Sequence, residues 1–175
     1  NINSNIKKVA KLEGDHQAYQ YLLEAIRRDG VPYDLISKSL PTVEGAVNDI
    51  LSQIVDFSII FNMDGKVIDT HIVYDDDRVW PLELSSGMER FISSLAIRVG
   101  LINVSNLPRS NFLAIDEGWG TMDSENINSV YSLFQYLKTQ FQFTMIVSHI
   151  DSMRDAVDTL LEVKKTNTHS NIIFD

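Results

Sequence analysis

Three residues stand where the ends of buried strands would make them reactive. The apolar run Phe112-Leu113-Ala114-Ile115 leads directly into Asp116-Glu117, and a second run, Phe143-Thr144-Met145-Ile146-Val147, leads into Ser148-His149. In open α/β sheets ligands bind beyond the carboxyl ends of the strands. Two adjacent carboxylates and a histidine at neighbouring strand ends would therefore converge on one site. A carboxylate directly after an apolar strand can hold Mg2+ near phosphates, because that ion takes oxygen ligands and keeps several waters. A second carboxylate can take a proton from an attacking water. Singly, each residue has a plainer reading: Asp116 as a turn residue, Glu117 as a surface acid, His149 as a helix-capping side chain. Jointly the three placements agree on a site.

A fourth feature is the stretch Leu84-Ser85-Ser86-Gly87-Met88, where small polar residues run into a helical pattern. Met88, Phe91, Ile92, Leu95, Ala96 and Val99 form one face, while Glu89, Arg90, Ser93, Ser94 and Arg98 lie opposite. Ser85 or Ser86 can cap the first turn. Few side-chain atoms shield its free N–H groups, so a phosphate could sit there; an ordinary capped helix is the plainer alternative.

The elements that position these residues follow from period and punctuation. Residues 1–29 read as a helix with Ile2, Ile6, Val9 and Leu12 near heptad spacing, interrupted at Glu13-Gly14-Asp15-His16 and stopped by Gly30 and Pro32. Tyr33 to Leu40 reads as a short helical turn, and Pro41 as the start of a new helix with Val43, Val47, Ile50, Leu51 and Ile54 inward. Residues 55–74 read as a hairpin about Met63-Asp64-Gly65-Lys66, which sets Phe61 against Ile68, Ile59 against Thr70 and Phe57 against Ile72. His71 falls on its solvated face, and Asp75-Asp76-Asp77 reads as a solvated loop. The runs at 112–115 and 143–147 are expected as parallel strands buried on both faces. The helix between them carries Ile127, Val130, Tyr131, Phe134 and Leu137 inward and is capped by Asp123. A short helix at 152–157 and terminal strands at 159–165 and 171–174 complete an α/β lobe.

Composition narrows the function. With 175 residues and 44% hydrophobic content the chain can build a sizeable core. A net charge of −9 argues against coating nucleic acid by bulk charge; Lys7, Lys8, Lys11, Arg27 and Arg28 form the best local basic cluster. There is no cysteine, hence neither a disulfide framework nor a thiolate metal site. No apolar run approaches the length of a membrane span.

In order along the chain, these motifs resemble the C-terminal half of an ABC-type ATPase head, nearest to the SbcC branch of the SMC-like DNA-repair ATPases. Leu84-Ser85-Ser86-Gly87-Met88 resembles the signature motif Leu-Ser-Gly-Gly-Gln/Glu. Residues 112–117 resemble the Walker B strand, Gly118-Trp119-Gly120-Thr121-Met122-Asp123 the stretch containing the D-loop, and Ser148-His149 the switch histidine. The resemblance implies an ABC-type C-terminal lobe over residues 30–175, with residues 1–29 as the base of a coiled-coil arm.

It implies roles as well. Asp116 would hold Mg2+ through water, and Glu117 would orient or deprotonate the hydrolytic water. His149 would hydrogen-bond the γ-phosphate. Ser85, Ser86 and Gly87 would present donors to the γ-phosphate of an ATP held by the opposite head, and Asp123 would link the two sites. Ser86 departs from the family's glycine, and Met88 from its polar residue. The 175 residues contain no Gly-x-x-x-x-Gly-Lys-Ser/Thr, the loop that cradles phosphates. The resemblance therefore implies half a head, inactive alone and completed by an N-terminal P-loop segment. Its expected partners are a second head, an SbcD-type nuclease and double-stranded DNA, in the cytoplasm, nucleoid or nucleus. The alternative is a cohesin- or condensin-like tethering head with a kleisin partner; Asp116 to Asp123, with its two glycines, favours the SbcC branch.

Overall fold

The computed structural model describes residues 2–64, 67–117 and 127–174. Helix α1 spans Ile2–Ile26 and runs through Gly14 without a break; none of its described residues is buried. A tight turn ends at Gly30, the N-cap of α2, Val31–Leu51. A Cβ at Gly30 would lie 2.5 Å from the carbonyl oxygens of both Glu24 and Ala25, so a side chain there is excluded.

Helix α2 is continuous, and Pro41 lies inside it rather than restarting a second helix. Proline has no N–H to offer the Ser37 carbonyl. Ser37 is exposed, so water can serve that carbonyl, while the buried face Val43, Val47, Ile50 and Leu51 holds the helix on course.

Strands β1 (Ser58–Asp64), β2 (Val67–Asp75) and β3 (Arg78–Pro81) form an antiparallel sheet in that order. The hairpin is as expected, but its register differs: Ile59 faces Ile72 and Phe61 faces Thr70. Asp64 pairs with Val67, one residue later on each strand than the closing pair Met63–Lys66 that the expected turn sets. Moving the loop by one residue shifts every pair by two, which preserves the faces; Ile59 and Ile72 are fully buried. The run at Asp75-Asp76-Asp77 turns into β3, with Asp75 paired to Arg78 at 2.7 Å. The guanidinium holds the Asp75 carboxyl below the usual carboxylate range.

The edge strand β1 is covered by α2. The Asn48 side chain donates to the Ile59 carbonyl and accepts from the Ile59 N–H, both at 2.8 Å. The Glu44 carboxylate accepts the Phe61 N–H at 2.7 Å. Two side chains one helical turn apart thus replace a missing strand.

Helix α3, Gly87–Val104, packs on α2, and a Cβ at Gly100 would meet Val47 Cγ2 at 2.7 Å. Its buried face holds the expected Met88, Ile92, Leu95, Ala96 and Val99, with Phe91 half-buried and two additions: Gly100, and Ser93, which is fully buried on the core side instead of solvated.

Strand β4, Phe112–Asp116, pairs in parallel with β5, Phe143–Val147, with α4, Ile127–Gln140, between them in sequence. Ile115 is buried with Val130, Leu133, Phe134 and Leu137 of α4 in the one core. The expectation of strands buried on both faces is not met. Phe112, Phe143, Met145 and Val147 are exposed, with the two phenylalanine rings stacked 5.5 Å apart. Alternate residues of a strand point to opposite faces, and the described residues cover one face only. A 3-10 helix at Asp151–Ala156 and the antiparallel pair β6 (Leu161–Lys165) and β7 (Ser170–Phe174) follow.

Candidate functional site

The parallel pairing sets Asp116 opposite Val147, so both strands end at one level and release their next residues together. Glu117 and His149 meet there. His149 Nδ1 lies 3.2 Å from each carboxylate oxygen of Glu117. Both side chains are mainly solvent-facing, at 72% and 58% exposure for His149 and Glu117, so the pair is reachable by a ligand.

The Glu117 backbone is held in a rare conformation, with φ at 60°. Its N–H donates to the Val147 carbonyl at 3.0 Å, which extends the β4–β5 ladder by one bond. For a residue with a Cβ the left-handed region costs on the order of 1 kcal/mol, and such outliers cluster at functional sites. Asp116 is exposed at the strand end. Among the described residues no three potential ligands gather around a metal position. A lone carboxylate in open surroundings fits an ion that keeps its waters and bridges substrate phosphates, and does not fit an all-protein cage.

The Ser85–Gly87 turn is built at the start of α3. Ser86 is the N-cap: its Oγ accepts the Glu89 N–H at 3.2 Å, and its own N–H donates to Glu89 Oε2 at 2.6 Å, a reciprocal capping box. Both polar groups of Ser86 are thereby engaged within the turn. Ser85 differs: its hydroxyl is buried and has no hydrogen-bond partner among the described residues. Leaving a buried hydroxyl unpaired costs about 1–3 kcal/mol, and the Ser93 and Thr144 hydroxyls share this state among the described residues.

Among the described residues no hydrogen bond or ion pair joins the Ser85–Gly87 turn to Asp116, Glu117 or His149. The structure brings the acid and histidine together and leaves the turn as a separate feature. The expected D-loop residue Asp123 lies outside the described residues. Sequence reading missed Tyr74, whose hydroxyl donates to Glu89 Oε1 at 2.5 Å. The Ser-x-x-Glu spacing of 86–89 signals the capping box, but nothing local points to a tyrosine on another element.

No protein-family model matches the chain. An uncharacterised protein of Acanthamoeba polyphaga mimivirus is 34% identical over 171 residues, covering 89% of this chain and 13% of that protein. The SbcC component of the nuclease SbcCD is 32% identical in Deinococcus radiodurans, over 50% of this chain and 10% of the relative. In Staphylococcus aureus it is 31% identical, over 51% and 9%. The chain thus spans between 9% and 13% of the length of these curated relatives.

Among solved structures, an SMC ATPase studied for ATP-driven dimerisation matches with a TM-score of 0.66 at 14% identity, over 81% of this chain and 88% of that one. The Pyrococcus furiosus Smc head with an extended coiled coil, bound to the C-terminal domain of ScpA, matches with a TM-score of 0.66 at 16% identity, over 96% and 42%. The fold is that of an ABC-type ATPase head, in its C-terminal lobe. In sequence the chain is similar to SbcC over about half its length, and in fold to SMC head domains; together these support an SbcC/SMC-like ABC ATPase C-terminal half.

Proposed function

We propose that this chain forms the hydrolytic half-site of a DNA-repair ATPase head that dimerises over ATP and regulates an associated nuclease at DNA ends. The observation that carries the reading is the Glu117–His149 pair, set by a strained backbone at the common end of two parallel strands. Glu117 orients or deprotonates the hydrolytic water, and His149 donates to the γ-phosphate. Asp116 would hold Mg2+ through water; when bound, that ion neutralises charge on the phosphates.

The Ser85 hydroxyl and the Gly87 N–H face the γ-phosphate of an ATP seated on a second head, while the Ser85 N–H donates to the Leu82 carbonyl and the Ser86 N–H to Glu89. The turn's contribution there is to bind and orient, which lowers the barrier by holding the reacting groups in place. Asp123 links the two sites of the dimer. The bare apolar face of Phe112, Phe143, Met145 and Val147 receives the P-loop segment of the same ATPase, which supplies the phosphate cradle. Residues 1–29 form the base of a coiled-coil arm and residues 30–175 the lobe, working beside DNA and an SbcD-type nuclease. The cohesin- or condensin-like alternative is weaker, because the likeness to SMC heads is at 14–23% identity and speaks for fold alone, whereas the sequence homology is to SbcC.

The test is reconstitution. This chain, mixed with a P-loop-bearing N-terminal segment, should hydrolyse ATP in the presence of Mg2+, and neither part should do so alone. Glu117→Gln should lower turnover by on the order of 100-fold or more, and Ser85→Arg should abolish ATP-dependent dimerisation. Undiminished turnover in Glu117→Gln would remove the assigned base.

A further inference from the structure

Tyr74 lies where the β2–β3 register breaks, between the Val73–Val79 and Asp75–Arg78 pairs. Such a bulge takes one residue out of the regular ladder and re-aims its side chain. The ring is then held from three sides. It stacks on Trp80 with centroids 5.5 Å apart at 27°, meets Phe57 at 5.5 Å and 54°, and lies 5.2 Å from the Arg78 guanidinium carbon. So held, its hydroxyl donates to Glu89 Oε1 at 2.5 Å. The other Glu89 oxygen accepts the Ser86 N–H at 2.6 Å.

A capping box needs the serine and the glutamate and nothing else. The tyrosine adds a third bond, from a different element, that the helix start does not require. Burial acts to raise the Glu89 carboxyl, but the bonds from Tyr74 and Ser86 outweigh it and hold the group below its ordinary value. The carboxylate is therefore an anion fixed between the sheet and the turn. It fixes Ser86, and Ser86 is flanked by the two residues left to face a phosphate: Ser85, whose buried hydroxyl has no partner among the described residues, and Gly87.

We propose that Tyr74 and Glu89 are positioning residues for the phosphate-facing turn, tying Ser85–Gly87 to the three-stranded sheet so that its donors are preset for the γ-phosphate of the opposite head. The proposal rests on the half-site reading above. It predicts that the pair governs assembly across the dimer and leaves each head's hold on its own nucleotide untouched.

The experiment uses the head completed by its P-loop segment, with Tyr74→Phe, Glu89→Ala, Glu89→Gln and the Tyr74→Phe/Glu89→Ala double variant. Three quantities are read: urea midpoint, ATP affinity of isolated heads, and ATP-dependent dimerisation with turnover. Tyr74→Phe keeps the ring and its stacking and removes only the hydroxyl. It should weaken dimerisation and turnover about tenfold, the scale of one hydrogen bond to a charged group, with ATP affinity of isolated heads unchanged. Glu89→Ala should lose at least as much, and Glu89→Gln, which keeps an acceptor for the Ser86 N–H, should recover part of it. The double variant should be no worse than Glu89→Ala, since both act through one contact. Tyr74→Phe equal to the unsubstituted head in dimerisation and turnover, or losses that multiply in the double variant, would overturn the proposal. An unsubstituted head that fails to dimerise over ATP would sink the half-site reading, and this proposal with it.

Discussion

Adding one methyl group at Gly100 should separate helix propensity from packing on the helix that carries the Ser85–Gly87 turn. The new Cβ would lie 2.7 Å from Val47 Cγ2, 3.4 Å from Val47 N and 3.5 Å from Val47 Cα. Carbon atoms pack best at about 3.5–4.0 Å, so the first contact is short by roughly 1 Å. Val47 is fully buried in α2, and a valine in a helix has one strongly preferred rotamer. Its methyl cannot swing aside, so α2 and α3 must part. Overpacking of this kind costs about 1–3 kcal/mol, against a gain of about 1 kcal/mol from replacing glycine in a helix interior. The net expectation for Gly100→Ala runs from near neutral to about 2 kcal/mol destabilising.

Gly45, in α2, provides the control, because nothing lies within 4 Å of the Cβ it would gain. Gly45→Ala should stabilise by up to about 1 kcal/mol. The difference between the two variants isolates the helix crossing. Urea unfolding followed by far-UV circular dichroism gives both midpoints and slopes. Val47→Ala combined with Gly100→Ala should show a coupling of about 1 kcal/mol or more, since removing Cγ2 relieves the clash. If both glycine substitutions stabilise equally, the close approach of α2 and α3 is wrong.

Three further outcomes follow from single contacts. Asn48→Ala removes both hydrogen bonds to Ile59 and should cost about 1–3 kcal/mol in urea midpoint analysis; a change under about 0.5 kcal/mol would mean the edge of β1 is not held by that amide. Glu117→Gly relieves the positive φ and should raise stability by about 1 kcal/mol while abolishing turnover of the completed head. Loss of both stability and turnover would argue that the strain at Glu117 is absent. Tyr74 is pushed well above the ordinary phenol range by burial and by the Glu89 hydrogen bond and charge. Its contribution to stability is therefore present below about pH 10, the unfolded tyrosine pKa, and falls as pH rises above it, because the unfolded chain releases that proton first. Tyr74→Phe should flatten the alkaline limb of stability against pH; an unchanged slope would mean the phenol titrates normally.

The meeting of Glu117 and His149 was legible in the sequence because it depends on neighbours in the chain. A continuous apolar run followed by acid, and another followed by histidine, is a local pattern, and the parallel pairing of β4 and β5 delivered both ends to one place. The same holds for α3, whose apolar period and Ser-x-x-Glu start are complete within one turn or two. The hairpin is an intermediate case. Alternation settled which residues face the core, since side chains repeat every two residues, but the pairs themselves depend on which two residues close the loop.

What the tertiary structure alone decided involves partners far apart in the chain or the absence of one. Pro41 reads as a helix start, yet burial of Val43 and Val47 in the core outweighs one lost hydrogen bond and carries α2 through it. Ser93 reads as polar surface but lies in the core. The exposed face of β4 and β5 was invisible as such, because an apolar residue looks the same in sequence whether its cover is within the described residues or not. The tie from Tyr74 to Glu89 spans two elements and depends on a bulge that aims one ring at one carboxylate. Chain-local spacing determines which residues can do chemistry here. The packing of α2, α3 and the antiparallel sheet determines how those groups are aimed, because orientation is set by contacts that no stretch of neighbouring residues contains.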